Sequence, residues 1–217
     1  LFRSENCKRL FKEQYGLDIP DRDDPRSPDY RKYAAFKSAC TKAQRERLVQ
    51  TVRSISPELA INNVDYIRTE SATEIGVPQW QYSASCNARR TAGPLRLRPA
   101  DNASVDFMGF RYRDSSVSAG QLALRQWQNL ANAGSVSLYI MGHLDNHKDR
   151  TALNASKAAF AFHREHEALY RGLQSAAKVL LVAKPIMARS DPEVYGWVRA
   201  LTESHIPFDE VKLTELT

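Results

Sequence analysis

Apolar positions recur at helical spacing through Tyr33, Phe36, Cys40, Leu48, Val52 and Ile55, which predicts a long helix from about residue 28 to 55. Ser56-Pro57 closes it. A shorter helix over 4–16 precedes it, with Ser4 as cap, Leu10 and Phe11 as apolar face and Gly16 as stop. The proline- and aspartate-rich "LDIPDRDDPRSP" between them is loop. "ELAINNV" and "DYIRTE" then read as two short strands with little between them. Parallel neighbours need a dozen or more residues of crossover, so the connection here is abbreviated.

From residue 84 the pattern alternates. Helix 84–92 is followed by strand 103–110 ("ASVDFMGF") and by helix 118–133, whose stripe is Leu122, Trp127, Leu130 and Ala131. Strand 135–142 ("SVSLYIMG") and helix 149–170 come next. "AKVLLVAKP" is nearly all apolar, the pattern of a strand buried on both faces. Helix 192–204 and a strand at "FDEVKL" finish the chain. Alternating strands and helices give an α/β chain with parallel sheet and helices outside it.

Composition changes this picture little. Across 217 residues, 42% are apolar and 26% charged, as in ordinary globular chains. No apolar run reaches the ~20 residues of a membrane span, so no membrane partner is expected. The net charge of +6 is spread along helix faces, as in "KAQRERLVQTVR". With no nucleic-acid motif beside it, that charge reads as solvated surface. Cys7, Cys40 and Cys86 are odd in number and widely spaced, so no disulfide framework is expected and a reducing, cytoplasmic setting is favoured. "HLDNH" offers His143, Asp145 and His147, but three such residues in one loop without a fourth ligand are weak evidence for zinc.

One ordered series carries more. "SENCKRLFKEQYGLDIP", "NNVDYIRTE", "VDFMGFRYRD", "SLYIMGHLDNHKDR" and "HREHEALYRGLQSAAKVLLVAKP" together resemble bacterial glycoside hydrolases of β-galactosidase-like and α-L-fucosidase-like type. In that family a (β/α)8 TIM barrel is followed by a flavodoxin-like domain of the β-galactosidase trimerisation type. The resemblance implies that residues 1–176 are the C-terminal half of such a barrel, about strands 5 to 8. "LAINN", "VDYIRTE", "ASVDFMGF" and "SLYIMG" would be those strands. Residues 177–217 would be the first βαβ of the second domain. The chain would be partial, without the strand 4 that usually carries the general acid. Related chains often carry a C-x-C-x-x-C run here; with Phe2 and Ser4 in those positions and only Cys7 kept, neither a metal nor another cofactor is expected.

The resemblance makes Glu70 the candidate catalytic residue. Side chains alternate along a strand, so Tyr66, Arg68 and Glu70 share one face and Ile67 and Thr69 the other. In a barrel the first set lines the interior, and active sites lie at the C-terminal strand ends. Arg68 beside Glu70 would hold it ionised, which suits a nucleophile or base. The bland alternative is a structural ion pair at the rim. Candidate sugar contacts are Arg68, Trp80, Tyr82, Arg111, Arg113, His143 and Asp145; aromatic plugs and ordinary salt bridges are the competing readings. Glycoside hydrolysis normally needs two carboxylates, ~5 Å apart for retention and about 6.5–9.5 Å for inversion. Glu74, Asp106, Asp114 and Asp145 are the available seconds, with Asp106 expected to be buried and paired. The alternative function is a non-catalytic carbohydrate-binding or assembly protein. The open sheet edge of a half barrel invites pairing with another copy.

Overall fold

The computed structural model describes residues 2–73, 81–92, 100–183, 192–213 and 216. They fall into two compact units, Leu1–Leu59 and Ala60–Thr217.

The first unit is a pair of helices, α1 (Glu5–Tyr15) and α2 (Pro28–Ile55). Ser4 and Ser27 cap them by accepting from the backbone N–H groups of Cys7 and Tyr30, and Gly16 ends α1 at φ 67°. Phe11 is fully buried between Tyr33 and Phe36, its ring centroid 5.5 and 5.4 Å from theirs in edge-on geometry. The predicted stripe of α2 holds only to Cys40. Leu48 and Ile55 are 60% and 79% exposed, because at ~1.5 Å per residue the 28-residue α2 runs far past the 11-residue α1.

The second unit contains a three-stranded parallel sheet, β1 (Ile67–Ser71), β2 (Ala100–Val105) and β3 (Leu138–Tyr139), in that order. α3 (Ser83–Ala92) lies between the first two in sequence and α4 (Ala119–Ala131) between the second two. Then come α5 (Leu153–Glu165), α6 (Glu167–Tyr170), β4 (Val179–Ala183), α7 (Pro192–Glu203) and β5 (Phe208–Lys212). β4 and β5 pair in parallel as a separate sheet. Cys86 of α3 packs with Val194, Val198 and Phe208, which joins the two sheets through one helix.

Several elements differ from the sequence pattern. "ELAINNV" forms no strand. Ile61 N–H donates to the Asp65 carboxylate, the Val64 and Asp65 N–H groups donate to Ile61 O, and Asn63 takes φ 61°, so local bonds win over a ladder. Only the single bridge Asn62–Tyr66 remains. β2 ends at Val105, since the chain turns at Gly109 (φ 88°) and Val117 N–H returns to Asp106 O. The helix expected over 149–170 starts later, because Arg150 donates to the carbonyls of Leu144, Asp145 and His147; it breaks at His166. β4 is not buried on both faces: Val179, Leu180 and Val182 are 37–45% exposed.

Helix α4 gives the sharpest departure. Its buried residues are Leu122, Arg125, Gln126, Asn129 and Leu130, while Trp127 is 40% exposed and rests on Phe162 of α5. The layer between sheet and helices is thus largely polar. Asn102 on β2 is fully buried. Its Oδ1 accepts from Thr69, Ser71 and Asn87, and its Nδ2 donates to Ser71 Oγ and to Asn129 Oδ1. Asn129 returns a bond to Asn102 O at 2.7 Å. Amides supply donors and acceptors together, so the side-chain groups of Asn102 all find partners here.

Candidate functional site at the C-terminal edge of the sheet

In parallel α/β sheets, chemistry gathers beyond the carboxyl ends of the strands. Here that edge is formed by the residues after Ser71, Val105 and Tyr139. Register sets Glu70 beside Ala103 and Ser104 beside Leu138, which draws the three following loops together.

A charged knot ties them. Asp106, just past β2, has no exposed surface. One carboxylate oxygen accepts from Ser116 Oγ, and the other lies 3.8 Å from Nε2 of the buried His147. Asp149 accepts from Ser116 N–H at 2.9 Å. Arg125 rises from α4 and donates to Val105 O and Thr73 Oγ1, both at 2.7 Å. One cation and two carboxylates therefore join the loops after β1, β2 and β3. Burial raises the Asp106 carboxyl above the ordinary range, more than its bond from Ser116 and the field of His147 lower it. Burial lowers the Arg125 guanidinium to about 10, with Asp106 opposing. Hydrogen bonds from Thr151 and Ser116 lower Asp149. Asp106 Oδ2 and His147 Nε2 have no hydrogen-bond partner.

The candidate residues fall around this knot unequally. Arg68 and Glu70 share one face of β1, as alternation requires, and that face is open: both are exposed. Arg68 reaches Asp101 on the neighbouring strand at 3.3 Å, not Glu70. The backbone carbonyl of Glu70 accepts from Asn87 at 2.8 Å. Arg111 lies in the short 3-10 helix Phe110–Tyr112, with Arg113 following; both are exposed. His143 and Asp145 are exposed in the next loop, where Asn146 accepts from His143 N–H and donates its own N–H to Asp145. Tyr82 is elsewhere: its hydroxyl donates to Glu203 on α7 at 3.0 Å and its ring packs on the Cys86–Phe208 cluster. Trp80 and Glu74 lie outside the described residues. Among the described residues no group of three or more His, Cys, Asp or Glu side chains is arranged to hold a metal, and no helix is long and apolar enough to cross a membrane.

The pattern of hydrophobic residues points to neither Arg125 nor Ser116 nor His147 as a member of this cluster. The available signal for Arg125 was its i, i+3 spacing from Leu122, on a face it shares with Gln126, Asn129 and Leu130. The loop after β2 also presents Phe110 and Tyr112, 66% and 53% exposed, beside the two arginines. Phe107 beneath them is buried against Phe110 and Tyr139.

No family model matches the chain, and no curated protein sequence matches it. Among solved structures the chain is similar to alpha-L-fucosidase isoenzyme 2 from Paenibacillus thiaminolyticus, with a TM-score of 0.63 and 19% identity. The match covers 98% of this chain but 34% of that one, so the chain spans about a third of its neighbour's length. The likeness is one of fold: this chain follows the fold of a portion of that α-L-fucosidase.

Proposed function

We propose that this chain is part of a glycoside hydrolase of the α-L-fucosidase-like or β-galactosidase-like kind, in which β1, β2 and β3 are consecutive strands of a (β/α)8 barrel. Residues 177–217 then open a flavodoxin-like domain. The observation that carries the reading is the fold likeness to an α-L-fucosidase over 98% of the chain. The parallel order β1-β2-β3, with a helix between each pair, supports it.

In this reading the face of β1 that carries Arg68 and Glu70 looks into the barrel interior. Glu70, at the C-terminal end of β1 on that face, serves as nucleophile or stabilising carboxylate for the sugar's anomeric carbon. Arg68, Arg111, Arg113, His143 and Asp145 donate to or accept from sugar hydroxyls, and Trp80 supplies an apolar wall. Tyr82, held by Glu203 on α7, contributes through the position of α3. Asp106 is closed to solvent, and its knot fixes the loops that carry these contacts. The second carboxylate comes from another part of the enzyme.

The test uses the protein that carries this chain, with para-nitrophenyl α-L-fucoside and β-D-galactoside as substrates. Glu70→Gln is expected to abolish turnover while sugar binding persists. Unchanged turnover removes Glu70 from the mechanism. A second reading, a non-catalytic carbohydrate-binding or assembly protein, draws on the same open face of β1, which another copy could cover. Light scattering separates them: a well-behaved monomer argues against assembly.

A further inference from the structure

Helix α3 ends in two successive arginines with different surroundings. Arg90 donates to Glu210, whose side chain is 1% exposed, in a buried ion pair with β5. Arg89 has no such partner. Its guanidinium stacks on the Phe208 ring at 4.1 Å, and its Nη1 is buried without any hydrogen bond. A buried donor left unmatched is costly, so an acceptor supplied from the cleft is a natural complement.

Arg89 lines a cleft of about 340 Å³. That lies at the small end of the ~300–1,000 Å³ typical of small-molecule sites. The cleft sits at the opposite edge of the sheets from the knot, where α3 and α4 end and β5 begins. Catalysis at the C-terminal edge therefore does not account for it. Leu130, Leu173 and Pro207 give it an apolar wall. Asp209 lines it too; the charge of Arg89 is lowered by burial and supported by Glu210 and, to a smaller extent, by Asp209. One cation and one anion face the space. Their charges cancel, which disfavours a free anion or cation as occupant. The matching ligand is neutral and carries groups that accept from guanidinium and donate to carboxylate.

We infer that this cleft is a second saccharide site that takes one neutral monosaccharide unit, with adjacent hydroxyls bridging Arg89 and Asp209. A sugar hydroxyl accepts and donates at once, and the C–H face of a pyranose suits the leucine and proline wall. The inference goes beyond the function proposed above and does not require turnover at Glu70.

The experiment is saturation-transfer NMR and thermal shift on the protein with L-fucose and D-galactose as probes, and sodium acetate as the anionic control. Saturable binding is expected for at least one sugar and not for acetate. Since the site proposed at Glu70 takes sugars too, isothermal titration counts the sites: one fewer saturable site is expected in each of the two variants below than in the parent. Arg89→Met should weaken it at least ~tenfold, a loss of about 1.4 kcal/mol. Leu173→Trp, made at an exposed wall residue and so tolerated by the fold, should block the cleft with the same result. The proposal is overturned if neither sugar binds saturably, if acetate binds in their place, or if Leu173→Trp, folded by circular dichroism, binds sugar as well as the parent.

Discussion

Two polar clusters, one on β2 and one just past its end, have opposite characters. Around Asn102 every group is neutral, and the amides of Asn102, Asn87 and Asn129 interlock with Ser71, Thr69 and Ser104. Around Asp106 the groups are ionisable, and two buried polar atoms stand unbonded. Neutral amides are hydrogen-bonded in any protonation state of their surroundings, so the first cluster acts as a fixed joint. The second holds charge in a place that penalises it, and its bonding depends on where protons sit. A sheet that needed only stability would have the first kind throughout. The second kind, at the strand ends where three loops meet, marks where the fold accepts a cost for position.

That contrast can be broken most forcefully at Asn102. Asn102→Leu strands buried partners on β1, α3 and α4, and a loss of about 3–5 kcal/mol is expected. Urea unfolding should return the same loss at acidic and neutral pH, since nothing in the layer titrates; a strong pH dependence would erase the distinction between the clusters. Next in size is Arg125→Met, which removes the cation facing Asp106 along with the bonds to Val105 O and Thr73. A loss of about 3 kcal/mol is expected, larger at neutral than at acidic pH, where Asp106 is protonated.

Asp106→Asn sharpens the comparison through slope rather than size. The folded carboxyl binds its proton more tightly than the unfolded one. The stability it contributes is therefore full below the ordinary carboxylate range and declines as pH rises through the raised folded value. Asp149 is shifted the other way and works in the opposite sense, losing its contribution as pH falls. The asparagine variant should abolish the decline due to Asp106, read as a flatter plot of Tm against pH on the rising side. A slope identical to the parent would mean that Asp106 does not hold that proton. The smallest effect belongs to Arg68→Ala. Its pair with Asp101 is at 3.3 Å and partly exposed, so stability should change by less than ~1 kcal/mol, while sugar affinity at the proposed site falls.

Helices were the most legible part of the fold. α2 begins and ends where the apolar spacing and the closing Ser56-Pro57 place it, and α7 departs by one residue. Strands were harder. β2 lies three residues before the expected "ASVDFMGF", because its inward positions are Asn102 and Ser104, which no hydrophobicity pattern marks as core. The same blindness assigned Trp127 to the inner face of α4 in place of Arg125, Gln126 and Asn129. Where a protein buries amides, polarity along the sequence reports the wrong side of the element. Of the candidate site, alternation correctly put Arg68 and Glu70 on one face of β1. It could not reveal that Arg68 would turn to Asp101, a partner 33 residues away in sequence.

Helix α3 is a lever with its two arms on different sheets. Asn87 grips the peptide carbonyl of Glu70, while Cys86 and Arg90, its near neighbours, are embedded in the layer formed by α7 and β5. A displacement of α7 of even part of an ångström must either be absorbed by the packing around Cys86 or travel along the helix to the backbone of Glu70. The terminal βαβ segment thereby acts as ballast for the strand that carries the carboxylate.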